Sequence, residues 1–261
     1  MAAGLSSPFP VDSVAQDLPA LLGMDRLPRR TEQAWTGLKP TLEGLIRRTG
    51  AAKVLEIGSG RHPFFSPEEA KRLSFGLVVN DIDAEELSHA PGAFERMIFD
   101  IARDIDRDLI EMGGFDLIFS RMVFEHVRDA GTAWSNVHAL LAPGGVGFAF
   151  VPTLWSPPFL ANLLMPDAVT APLVRMLDST RNQAEIPKFP AYYRACRASE
   201  ASLRPFLTSL GFREVSVVPF FGTPYLPRIP VIRHLARALD AVAERRDWRA
   251  LASYAYIVAR K

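Results

Sequence analysis

The sequence predicts a doubly wound α/β fold, a parallel sheet covered by helices on both faces, and three observations carry that expectation. Short, nearly continuous apolar runs recur along the chain, longer amphipathic pieces separate them, and the first run ends in a Gly-x-Gly turn. Strands that lack an alternating polar face are buried on both sides, and helical crossovers keep such strands parallel.

In chain order, residues 1–30 carry Pro8, Pro10, Pro19 and Pro28 without sustained periodicity, which predicts a loosely packed arm. From Thr31 the spacing of Trp35, Leu38, Leu42, Leu45 and Ile46 places one apolar stripe on a helix, with Pro40 as the expected break. Residues 1–50 are therefore an arm and a helical preface. The strands that follow are KVLEIG (53–58), FGLVVN (75–80), RMIFD (96–100), FDLIFS (115–120) and VGFAFV (146–151). Between them, helices are expected around 67–73, 83–89, 104–112 and 129–141. Residues 152–198, rich in proline and in aromatics such as Trp155, Phe159, Phe189, Tyr192 and Tyr193, exceed an ordinary connection and form a candidate lid. A helix near 199–210, the strands EVSVVPF (214–220) and YAYIVAR (254–260), and a helical insert at about 228–250 complete a domain of residues 51–261.

Composition narrows the function. Thirty basic residues against twenty-nine acidic ones leave a formal charge of +1, so no electrostatic footprint for nucleic acid is present. The single Cys196 makes no internal disulfide and no cysteine pair suits a metal, which fits a reducing compartment. The start, MAAGLSSPFPVDS, has neither the basic end nor the apolar centre of a secretory signal, so a cytoplasmic location is expected. Residues 139–166 hold no ionisable group, yet Pro143, Gly144, Gly145, Pro152, Pro157 and Pro158 would leave backbone groups unpaired in lipid. That stretch reads as a buried strand entering an apolar loop.

The turn after the first strand is the candidate binding site, because open parallel sheets hold ligands beyond the carboxyl ends of their strands. Gly58 and Gly60 permit backbone angles closed to other residues and let a ligand approach the main chain, with Ser59 between them. Glu56 lies inside the strand end, where a carboxylate needs a partner. Asp81 follows the second strand, 21 residues after Gly60, and is placed to accept from two ribose hydroxyls. The competing reading makes Asp81 a cap and Asp83 the ribose ligand. Asp100 closes the third strand, as an acceptor for an exocyclic amine or as a helix cap, and its neighbour Ile101 is placed to cover a ring face. Asp104, Asp106 and Asp108 read as a solvated first helical turn rather than a cation site.

In this order, VLEIGSG, VVNDID, MIFDIA, GGFDLIFSRMVFEHV and LLAPGGVGFAFV resemble the successive motifs of the class I S-adenosylmethionine-dependent methyltransferases over residues 51–151. FLTSLGFREVSVV and YAYIVAR resemble, more weakly, their last helix and antiparallel closing pair. The resemblance implies a Rossmann-like, mostly parallel seven-stranded sheet with an antiparallel last strand. It implies S-adenosylmethionine as cofactor, held by Glu56, Gly58, Ser59, Gly60, Asp81, Ile82, Asp100, Ile101, Ser120 and Arg121. His62 stands where many members have a third glycine, which alters the exit of the loop. Ser120 and Arg121 stand where the metal-dependent branch has a carboxylate, so no catalytic metal is expected.

The implied reaction is methyl transfer, with oxygen of a small-molecule, glycan or lipid-linked acceptor as the expected target. His126 and His62 are candidate bases, and Tyr192, Tyr193 and Trp155 candidate pocket aromatics; for His126 the alternative is a structural ring bonded to backbone. Arg228, Arg233, Arg237, Arg245, Arg246 and Arg249 surround an amphipathic helix of the kind that touches anionic membranes. Asp240, Glu244 and Asp247 dilute that charge, so packing on the sheet is the expected role. Two other classes remain open: a nicotinamide-dependent oxidoreductase, disfavoured by the incomplete glycine fingerprint and by Glu56, and a catalytically silent adapter that binds the same nucleoside. Oligomeric state is not encoded in any of these features.

Overall fold

The computed structural model describes residues 18–23, 29–105, 112–154, 190–222 and 233–261. Its centre is a seven-stranded sheet: β1 (Lys53–Ile57), β2 (Gly76–Asp81), β3 (Glu95–Ile98), β4 (Phe115–Arg121), β5 (Leu141–Pro152), β6 (Glu214–Phe221) and β7 (Ala252–Arg260). The spatial order is β3-β2-β1-β4-β5-β7-β6. β1 to β5 pair in parallel, while β7 runs antiparallel to both β5 and β6. The chain direction therefore reverses its spread between β1 and β4, and the crevice at that switch point is where such sheets take ligands.

Burial follows from sequence pattern. Val54 and Leu55 in β1, Leu117 to Phe119 in β4 and Phe148 to Val151 in β5 are covered on both faces. One face packs Ile57, Ile118 and Ala149 against α6 (Ala130–Leu140) and α7 (Glu200–Ser209) through Trp134, Val137, Leu203 and Leu207. The other packs Val54, Val79, Phe119 and Phe148 against the N-terminal helices and α4 (Pro67–Leu73). β3 departs from the expected buried strand: it is the sheet edge, with Glu95, Arg96 and Ile98 exposed.

The N-terminal segment also departs from expectation. α1 (Leu18–Leu22) is no loose arm, since Leu18, Leu21 and Leu22 are buried in the core. The preface divides into α2 (Thr31–Thr36) and α3 (Leu38–Thr49) at Gly37 and not at Pro40. Pro40 falls in the first turn of α3, where its missing N–H costs no helical hydrogen bond. α5 spans Ala84–Ser88 and α8 spans Arg233–Arg245. The expected helix at 104–112 lies mostly outside the described residues, and so do most of the proposed lid, with Trp155, Phe159 and Phe189, and Arg228.

Candidate functional site at the carboxyl edge of the sheet

The loop after β1 is held from three sides. Gly58 and Gly60 have φ of +69° and +53°, in the left-handed region that favours glycine. A Cβ on Gly58 would stand 2.4 Å from Val123 Cγ2, so only glycine lets this turn lie against the chain leaving β4. Ser59 N donates to Asn80 O at 2.9 Å, and Gly60 N donates to Asp81 Oδ2 at 2.9 Å. Beyond the glycines, Phe64 N donates to Glu56 Oε2 at 2.8 Å. The loop, with His62 where a third glycine might stand, is thus closed by a strand carboxylate reaching up to its far end.

Glu56 is 1% exposed, and burial raises its carboxyl to about 7 against the opposing pull of the Phe64 N–H, Arg121 and Lys39. Arg121 and Lys39 both lie over the ring of Phe64, at 5.1 and 5.2 Å from its centroid. Lys39 is also paired to Glu69, at 2.7 and 2.8 Å. Arg121 leaves β4 on the side of the sheet that carries Phe119, facing the preface. Ser120 points the other way with Ile118, and its buried Oγ has no hydrogen-bond partner among the described residues.

Asp81 and Asp83 divide their roles clearly. Asp83 caps α5, accepting from Glu85 N at 2.9 Å and Glu86 N at 3.2 Å. Asp81 accepts from Gly60 N on one oxygen and from Asp83 N, at 3.0 Å, on the other, so its carboxylate sits at the crevice. This favours Asp81 over Asp83 as the acceptor for a bound diol. Ile82, 63% exposed, and the exposed Ile98 give the crevice an apolar wall beside Asp81. Asp100 makes a local turn, with Oδ1 accepting from Ala102 N at 2.9 Å and Oδ2 3.2 Å from Arg103 Nε. Ile101, in contrast to Ile82, is buried in the core.

After β4, Met122 takes a φ of +56° and a single 3-10 turn follows at Phe124–His126. Glu125 O accepts from Tyr192 N at 2.7 Å and Tyr193 N at 3.1 Å, and His126 Nδ1 lies 3.0 Å from Pro190 O. A carbonyl only accepts, so Nδ1 carries the hydrogen and, in the neutral ring, Nε2 holds the lone pair. The Glu125 carboxyl is buried and raised to about 8, and its Oε2 has no hydrogen-bond partner among the described residues. Tyr193, 5% exposed, belongs to the core and not to a pocket wall. Tyr192 OH accepts from Arg128 at 3.3 Å, and that guanidinium lies over its ring. His62 is exposed on the outside of the loop, on the side of Glu86, which Arg61 binds.

Two elements of this site escape sequence reading. Asn80 Nδ2 donates to both Met97 O and Phe99 O at 3.0 Å, which ties β2 to β3 just beneath the crevice. Lys39 arrives from the preface, too far in sequence for spacing to reveal it; the one usable signal was a buried acid, Glu56, in need of a cation.

A glycine turn at the switch point, an acid at the end of β2 and an antiparallel closing strand define the class I methyltransferase architecture. Residues 25–213 match a family profile described as a methyltransferase domain, and the chain belongs to that family, in its S-adenosylmethionine-dependent class. Among solved structures, the chain is similar to a SAM-dependent methyltransferase from Archaeoglobus fulgidus, at 20% identity and TM-score 0.51, covering 88% of this chain and 97% of that one. It is similar to an S-adenosylmethionine-dependent methyltransferase from Mesorhizobium loti, at 16% identity and TM-score 0.53, covering 85% and 96%. It is also similar to Haemonchus contortus phosphoethanolamine N-methyltransferase 2 bound to S-adenosyl-L-methionine, at 14% identity and TM-score 0.51, covering 88% of this chain but 52% of that one, about half its length. A search of curated proteins returns no match.

Proposed function

We propose that this chain transfers the methyl group of S-adenosylmethionine to oxygen on a small-molecule, glycan or lipid-linked acceptor. The observation that carries the reading is the convergence of Gly58, Gly60 and Asp81: a turn with room for no side chain, hydrogen-bonded to a carboxylate at the crevice. The residues fit the donor. Asp81 has lone pairs left for ribose hydroxyls, Ile82 and Ile98 offer an apolar face to adenine, and the backbone of Gly58, Ser59 and Gly60 is open to close approach. Glu56 keeps the loop in place, Arg121 stands above it, and Asp100 closes the adenine end. Bound S-adenosylmethionine supplies a methyl already activated by its sulfonium, so the protein contributes alignment, exclusion of water and removal of a proton.

What favours oxygen is His126. Its Nδ1–H is engaged by Pro190 O, which holds the ring against the returning segment and leaves the lone pair of the neutral ring on Nε2, 3.8 Å from Glu125 Oε1, so that the two groups would pass the proton as a pair. Calorimetry with S-adenosylhomocysteine and with NADH tests the donor: heat with the first and none with the second is expected, and the reverse would reassign the site to a nicotinamide. Turnover on a panel of hydroxyl acceptors, read as S-adenosylhomocysteine formed, separates an enzyme from an adapter that only binds. His126→Ala should lower kcat/KM about a hundredfold or more while leaving S-adenosylhomocysteine affinity unchanged. An unchanged kcat would confine His126 to its structural bond.

A further inference from the structure

We propose that α8 docks on an anionic lipid surface, with Leu239 and Val242 entering the interface and Arg245 and Arg246 facing lipid phosphates. The inference stands on α8 alone and does not depend on which acceptor the crevice takes. In sequence the acids of this region dilute its basic charge, but the fold sorts them. Glu244 Oε1 accepts from Arg29 N at 3.0 Å, and its Oε2 lies 2.6 Å from Arg30 Nε. Asp247, just past the helix, pairs with Arg29 at 2.7 Å and with Arg249 at 2.8 Å. Asp240 is half-buried, with its carboxylate next to Gly222, and Ala243 is buried. Asp240, Ala243 and Glu244 share one helical face, turned toward the protein, and Asp247 beyond the helix end is taken up by Arg29 and Arg249.

The opposite face carries the reverse chemistry. Leu239 and Val242 are 45% and 40% exposed and lie three residues apart, on neighbouring turns of one stripe. Arg245 and Arg246 are exposed beside Val242, and Trp248 is exposed just beyond the helix end. Arg249 leaves the basic set, because it is held inward by Asp247, Ala198 O and Val217 O. A helix with apolar residues outward, flanking arginines and no outward carboxylate is the composition of an interfacial segment. A second copy of the chain is a poor occupant, since a two-fold contact would set these arginines against one another. Nucleic acid is equally poor, since leucine and valine occupy the middle of the stripe.

The placement suits a membrane. β6 runs parallel to β1 and β4, so Phe221 ends at the same carboxyl edge as Gly58 and Asp81. Phe221 N donates to Arg29 O at 2.7 Å, and the neighbouring arginines hold Glu244 and Asp247. α8 is thereby fixed to the rim that carries the crevice, and docking would turn that rim toward the bilayer.

Flotation of the purified full-length chain with vesicles tests the proposal, using phosphatidylcholine alone and phosphatidylcholine mixed with phosphatidylglycerol. Binding to the mixed vesicles only, weakened by added salt, is expected. Leu239→Asp with Val242→Asp should abolish it. Arg245→Gln with Arg246→Gln, which alters no packed residue, should lower the partition coefficient roughly fivefold for each charge removed. Melting temperature and S-adenosylhomocysteine affinity should not move in either variant, which separates failure here from failure of the methyltransferase reading. Absence of binding to the anionic vesicles, or equal binding by the charge variant, would overturn the proposal. So would a dimer that becomes a monomer in the aspartate variant, which would assign the face to a second copy.

Discussion

At position 58 two constraints act on one residue, and they separate experimentally. The φ of +69° costs any residue with a Cβ about 1–2 kcal/mol, and the 2.4 Å approach to Val123 Cγ2 adds a clash of about 1–3 kcal/mol. Gly58→Ala should therefore lower the melting temperature by several degrees and abolish S-adenosylhomocysteine binding. Adding Val123→Ala should recover the clash and leave the backbone strain; full recovery would mean that strain plays no part. Asp81 is constrained by partners instead of space. Asp81→Ala removes the acceptor for Gly60 N and Asp83 N at a half-exposed position, so the fold should persist. Its S-adenosylhomocysteine affinity should fall about ten- to a hundredfold by calorimetry, the range for hydrogen bonds to a charged group. An unchanged affinity would remove Asp81 from the site.

At the scale of an element, α4 sets where the glycine loop ends. Ser66 Oγ accepts from Glu69 N at 3.2 Å and Glu69 Oε2 accepts from Ser66 N at 2.8 Å, a reciprocal capping box with Pro67 opening the helix. Glu69 also holds Lys39, so this cap joins the preface to the loop. Ser66→Ala should cost about 1 kcal/mol, read as a drop of about 2–4 °C in melting temperature for a domain of this size. A variant that melts with wild type would place the cap's energy entirely in the Glu69–Lys39 pair. The strands and most helices were legible because apolar runs and 3.6-residue spacing record burial directly. α1 was not, because proline density masked three leucines that meet the core only when the sheet is present. β3 was misread as buried because an edge strand can be apolar in sequence and still face solvent on one side.

At the scale of the whole molecule, two acids among the described residues lie in the core on opposite faces of the sheet, and sequence points to only one as unusual. Glu56 stands out because it interrupts an apolar strand; Glu125 does not, because nothing local reveals that the 190–193 segment folds over it. Burial raises them from an ordinary 4.5 to about 7 and about 8. Each folded carboxyl thus holds its proton longer than the unfolded chain does. A raised acid adds stability that is complete below the unfolded value and is lost as pH rises through the folded one. His138, lowered by burial, acts in the other sense, but only as pH falls below its ordinary 6.5. Between pH 6.5 and 8 the acids are therefore left to dominate, and unfolding free energy should fall by a few kcal/mol at most. Urea melts across that window should show the decline in the wild type and a shallower one in Glu125→Gln, whose amide keeps the shape of the protonated acid without the ionisation. The variant should be the more stable of the two across the window, with the gap widening from pH 6.5 to pH 8, and should approach wild type only below the unfolded carboxyl's ordinary 4.5. Identical slopes would mean that the Glu125 carboxyl ionises in the fold as readily as in the unfolded chain, which a buried carboxyl whose Oε2 has no hydrogen-bond partner among the described residues should not do.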